Sequence, residues 1–156
     1  MDLSATGTAA AVLIDRLPAL PRPWSVTELC ARLERKRGKR LVVHLLDLAA
    51  LPSGLWYDDG RADHIICRHG ITGYHRDHVI LHEICHLLAG HGPAGPEPHA
   101  DLASAVASHA VRTRYTAFQE EVAETFASKT LKLAKQRPSA HRSLFERRAA
   151  VSFGLT

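Results

Sequence analysis

The chain has 156 residues and a mass of 17.1 kDa, with 46% hydrophobic and 23% charged residues, which describes one folded domain and excludes a wholly disordered or fibrous chain. Net charge is +4, but the basic residues are scattered. The densest run, Arg35, Lys36, Arg37, Lys39 and Arg40, reads as a solvated face at a helix end, so direct nucleic-acid binding is not expected.

The apolar stretch from Ala9 to Ile14 is far shorter than a membrane span, and Asp2 stands where a secretion signal carries basic residues. Cys30, Cys67 and Cys85 are odd in number and widely spaced, which fits reduced thiols better than a disulfide framework. A bacterial-type cytoplasmic protein with no membrane partner is the expectation. No internal repeat of the length seen in solenoids or propellers is present.

Residues 1–23 mix Ala, Thr and Gly and close on Pro18, Pro21 and Pro23, which predicts a flexible N-terminal arm with a short helix around Ala10 to Leu17, ahead of a single domain over 24–156. Trp24 precedes Ser25 as the apolar residue before a helix cap, and Ser25 with Glu28 has capping-box spacing. Val26, Leu29, Cys30 and Leu33 recur at helical intervals, so a helix should run to about Arg37 and stop at Gly38.

Three short strands follow, over Arg40 to Leu46, Leu55 to Tyr57 and Asp63 to Arg68, with a hairpin signal at Asp58, Asp59 and Gly60. We expect a small antiparallel sheet, with Trp56 packing at its core or edge. Gly70 and Gly73 then lead into a strongly patterned helix from about Tyr74 to Ala89, ended by Gly90 and Gly92. Residues 92–98 read as a loop and the Ala-rich stretch Asp101 to Val111 as a helix. A further helix begins near Thr116, with Gln119 at capping-box spacing, and runs to about Lys135; Ser139 to Phe153 reads as a last helix. The predicted class is α+β, mostly helical, with the three-stranded sheet packed on the patterned helix.

That helix carries His82, Glu83, Ile84, Cys85 and His86, an HExxH string. Residues four apart lie one turn from each other on the same face, so two imidazoles can reach one metal ion from one side. Ile80, Leu81, Ile84, Leu87 and Leu88 fall on the opposite face and can pack on a core. A catalytic zinc site needs a third protein ligand and an open position. An HExxHxxGxxH pattern fails, because positions 89 and 92 are Ala89 and Gly92, and His91 is one place off. The better source is the downstream helix, where Glu120, Glu121 and Glu124 cluster beside Ala123 and Ala127, whose small side chains permit close approach; an acidic first turn favoured by the helix dipole explains the same residues without a metal.

Seven histidines, from His64 to His91, fall close together and invite a second metal, although His78, one turn before His82, reads first as an exposed or supporting histidine. Cys85 reads as a small packing residue. Tyr74 and Tyr115 either donate to a developing oxyanion or pack at helix ends.

His82 to His86 continued by Leu87, Leu88, Ala89, Gly90 and His91, followed by Glu120, Ala123, Phe126 and Ala127 in an E-x-x-A-x-x-F-A arrangement, resembles the ImmA/IrrE family of metallo-endopeptidases. The resemblance covers about Ser25 to Lys135 and implies a zincin-like domain. It implies Zn2+ bound by His82, His86 and Glu120, with Glu83 as catalytic base. It also implies a protein substrate, a cytoplasmic regulatory protein such as a helix-turn-helix repressor. The expected function is thus a zinc-dependent endopeptidase. The alternative is a non-catalytic, metal-binding interaction module of a toxin-antitoxin or phage-related regulatory pair, which has no need of Glu83.

Overall fold

The computed structural model describes residues 3–47, 54–92, 101–112 and 115–136. Over these it is α+β: helices α1 (Leu3–Ile14) and α2 (Val26–Arg37), strands β1 (Arg40–Leu46), β2 (Gly54–Asp58) and β3 (Ala62–Arg68), then helices α3 (Gly73–Ala89), α4 (Leu102–Arg112) and α5 (Ala117–Lys135). Among the described residues, no helix is long and apolar enough to cross a membrane. The expected helix over 139–153 lies outside the described residues, as does most of the expected loop over 92–98.

Helix ends follow local chemistry. The Ser25 side chain accepts from the Glu28 N–H at the start of α2, and Gly38, at φ 65°, ends it in the left-handed conformation that glycine adopts without steric cost. Thr116 and Gln119 form a complete capping box at the start of α5. The buried residues of α5, Val122, Ala123, Phe126, Ala127, Thr130 and Leu131, mark one stripe of a helix surface, and that stripe packs on α3 and α1.

The sheet departs from the antiparallel expectation. Its order is β1-β3-β2, with β2 antiparallel to β3 across the Asp58 to Gly60 turn and β1 parallel to β3. The hairpin is a local event that the turn residues dictate. The β1 pairing joins residues 22 apart in register, Arg40 with Ala62 through Leu46 with Arg68, and rests on burial of Ile65 and Cys67 beneath α3. The intervening chain gives β1 the reach to enter the sheet in parallel beside β3.

Part of the stretch expected as an N-terminal arm is helical and packs on the body. Its helix is α1, starting earlier than Ala10, and Ala10, Leu13 and Leu17 are buried in the main core against α5. Arg16 donates from Nη1 to the Leu88 carbonyl at 3.2 Å, and Lys36 donates to the Arg16 carbonyl at 2.8 Å, so the chain just after α1 is tied to both α3 and α2. Small side chains let α1 lie close to its neighbour without a strong amphipathic signal.

Two tryptophans serve as donors besides packing: Trp24 Nε1 reaches Asp77 Oδ2 at 3.0 Å, and Trp56 Nε1 reaches Asp63 Oδ1 at 3.2 Å. Asp63 is 1% exposed and also faces Arg37 and Lys39, which ties the end of α2 to β3. Cys30, Cys67 and Cys85 are free and buried.

Candidate metal centre

Helix α3 presents His82 and His86 one turn apart, and α5 crosses it closely because Ala123 and Ala127, both fully buried, add little bulk between them. This crossing carries Glu120, in the first turn of α5, to the two imidazoles. His86 Nε2 lies 3.1 Å from His82 Nε2 and 3.0 Å from Glu120 Oε1, and His82 Nε2 lies 3.6 Å from Glu120 Oε2. The imidazole planes cross at 69°, and the two Nε2 atoms face each other. Among the described residues, His82, His86 and Glu120 are the one group of three such side chains placed to hold a metal ion.

The donor set fits a divalent cation. An ion bonded to tetrahedral nitrogen and oxygen ligands at about 2.0–2.1 Å spaces them about 3.3 Å apart. The two separations from His86 Nε2, 3.1 Å to His82 Nε2 and 3.0 Å to Glu120 Oε1, lie within a few tenths of an ångström of that spacing, and the second carboxylate oxygen stands 3.6 Å from His82 Nε2. Burial, with His82 and His91 beside it, pushes the His86 pKa down to about 3, so the ring is neutral and keeps a lone pair to give. Glu120 is half-exposed, which leaves one side of the cluster open to solvent.

Glu83 is not one of the three clustered side chains. It is 5% exposed, and among the described residues its Oε2 has no hydrogen-bond partner. Burial first, and then the Glu120 carboxylate, push its pKa up to about 8. At about 8 the carboxyl is mostly protonated at neutral pH, and its anion is a stronger base than an ordinary carboxylate. Space for it is made by Gly54 at the start of β2, where a β-carbon would lie 3.0 Å from Glu83 Cγ.

The other acidic and histidine candidates separate clearly. Glu124 pairs with His78 at 2.5 Å, one turn away from the cluster, and Glu121 is not part of it. His91 is not part of it either, but its Nδ1 lies 3.0 Å from His86 Nδ1, on the side of the ring away from Nε2. His44 and His64 meet nitrogen to nitrogen at 2.9 Å with rings only 17° apart, and His64 continues to Asp59 at 2.7 Å. His64 thus faces His44 through Nδ1 and Asp59 through Nε2, so the three side chains do not converge on one point.

Tyr115 stacks flat on His86, with centroids 3.6 Å apart and planes 8° apart, and burial beside Glu83 and Glu120 raises its pKa. Tyr74 instead lies exposed at the start of α3, under the Lys135 ammonium at 4.4 Å. Cys85 is fully buried, and burial followed by Glu83 pushes its thiol up to about 12, as befits a packing residue. The roles of Gly54 and of the Tyr115 stack escape sequence reasoning, since each rests on a contact between residues far apart in the chain. No protein-family model matches the chain, and no curated protein or solved structure matches it.

Proposed function

We propose that the chain is a zinc-dependent endopeptidase acting on a cytoplasmic regulatory protein. The observation that supports this best is the convergence of His82, His86 and Glu120 beside a buried carboxyl, Glu83, whose Oε2 has no partner. His82, His86 and Glu120 would hold the ion, with two neutral nitrogens and one carboxylate as donors. A zinc ion held there supplies Lewis acidity toward water and toward a peptide carbonyl.

The chain's own residues do the proton work. Glu83 Oε2 takes a proton from the attacking water and delivers it to the departing amine, and its burial keeps that oxygen free of competing donors. The stack of Tyr115 on His86 fixes the ring plane, and the half-exposed Glu120 leaves one side of the cluster open to solvent. A module that only binds metal gains nothing from an unpaired buried carboxyl, which costs stability. The repressor-like substrate rests on the resemblance of the His82 to His91 and Glu120 to Ala127 patterns alone.

The test is digestion of a proteome-derived peptide library by the zinc-loaded chain, with cleavage products read by mass spectrometry. Cleavage by the wild type that disappears in Glu83→Gln supports the proposal. Equal product patterns from both proteins would contradict it.

A further inference from the structure

We infer that His91 is a positioning residue for the metal centre, accepting the Nδ1 proton of His86 so that the Nε2 lone pair stays aimed at the ion. The inference rests on the metal-site reading above and adds to it a residue outside the ligand set.

The argument starts at the end of α3. Gly90 adopts φ 69°, its N–H bonds the Leu87 carbonyl at 3.3 Å, and the His91 N–H bonds the His86 carbonyl at 3.0 Å. This pair of bonds is the Schellman arrangement, which folds the chain back over the last helical turn. As a result the His91 ring returns to the residue its own backbone has just bonded, and the two Nδ1 atoms come within 3.0 Å.

The chemistry then assigns the roles. A neutral imidazole carries one N–H and one lone pair. With Nε2 of His86 committed to a cation, its proton sits on Nδ1, and His91 Nδ1 is the group placed to accept it. His91 then carries its own proton on Nε2. Such a partner on the far nitrogen fixes the tautomer and the orientation of a ligating histidine. Here the partner is an imidazole where a carboxylate or backbone carbonyl is usual. It orients the ligand without adding a negative charge to a site that already holds Glu120 and Glu83. Tyr115, stacked on the same ring, limits its rotation, and His91 selects which nitrogen carries the proton.

The experiment uses the full chain and Zn2+ alone, with affinity read by competition against a chromogenic chelator. His91→Ala should bind Zn2+ about 10- to 100-fold more weakly than the wild type. His91→Asn, whose carboxamide oxygen takes the place of Nδ1, should stay within about threefold of it. In the zinc-loaded wild type, the ¹⁵N resonances of His86 should show the proton on Nδ1, a readout independent of activity and of any loss of stability in the alanine variant. Wild-type affinity in His91→Ala, an asparagine variant as weak as the alanine one, or a His86 proton on Nε2 would each overturn the inference. A wild type that binds no Zn2+ is a different result, since it removes the metal reading itself and this inference with it.

Discussion

Gly54 and Glu83 are in close contact across the interface of β2 and α3: a β-carbon on residue 54 would lie 3.0 Å from both Cγ and Oε1 of Glu83, and 2.7 Å from Cγ1 of Val79. The absence of a side chain at the first residue of β2 therefore sets where the carboxyl of Glu83 can lie. Gly54→Ala should cost about 1–3 kcal/mol of stability through overpacking. It should also displace Glu83 and lower turnover while Zn2+ affinity changes little, because the atoms nearest the added β-carbon belong to Val79 and Glu83 and not to the three proposed ligands. Paired measurements of thermal unfolding, zinc affinity and cleavage check this, and an alanine variant with wild-type stability and turnover would refute it.

Glu83 itself carries opposed effects on stability and on chemistry. Its Oε2 is buried without a partner, so replacing the carboxyl by an uncharged group relieves a cost. Glu83→Gln should raise the stability of the metal-free protein by about 1–3 kcal/mol and lower turnover by about 10²- to 10⁴-fold. Denaturant unfolding and peptide cleavage on the same sample read both signs. A variant that is both less stable and equally active would contradict the role assigned to this residue.

Much of the local structure was legible in the residues. The HExxH spacing places two imidazoles on one turn, and Ser25, Gly38, Gly90 and the Thr116–Gln119 pair mark helix ends where they stand, because each acts through neighbours within a few residues. The parallel pairing of β1 with β3 was not legible, since it joins segments whose only signal is their burial. The docking of α1 was hidden because Ala10, Leu13 and Leu17 sit among small residues that read equally well as a loose arm. Within the site, Glu120, Glu121 and Glu124 are equivalent in composition, and only the crossing of α5 over α3 brings the first to the histidines and the last to His78. His91 looks like a misplaced ligand in a linear reading, while the folded helix end turns it into a partner of His86.

Asp63 tests how the scaffold holds the sheet against α2. It is 1% exposed and faces Arg37, Lys39 and Trp56 Nε1. Removing one partner of a buried ion cluster strands the others, so Asp63→Ala should destabilise the protein by about 3–5 kcal/mol. Urea unfolding measures this directly, and a loss under about 1 kcal/mol would show that solvent replaces the carboxylate.

The β2–β3 turn should be sensitive to acid. Burial pushes the Asp59 pKa up, but the backbone N–H groups of Ala62 and Arg61 and the His64 ring outweigh it and pull the group down to about 2. A depressed carboxyl stabilises the fold above its ordinary pKa of 3.8, and that contribution disappears as pH falls through about 2. At this partly exposed turn it amounts to about 1 kcal/mol. The wild-type melting temperature should therefore fall more steeply than that of Asp59→Asn between pH 4 and pH 2. Parallel melting curves for the two proteins over that range would exclude the effect.

The central claim is that one divalent ion is held jointly by α3 and α5. Zinc stoichiometry after dialysis, measured by elemental analysis on the wild type and on single variants, tests it most directly. We expect one zinc per chain in the wild type, Glu83→Gln and Glu124→Gln, and loss of zinc in His82→Ala, His86→Ala and Glu120→Ala. A wild type free of zinc, or full occupancy in Glu120→Ala, would contradict the account.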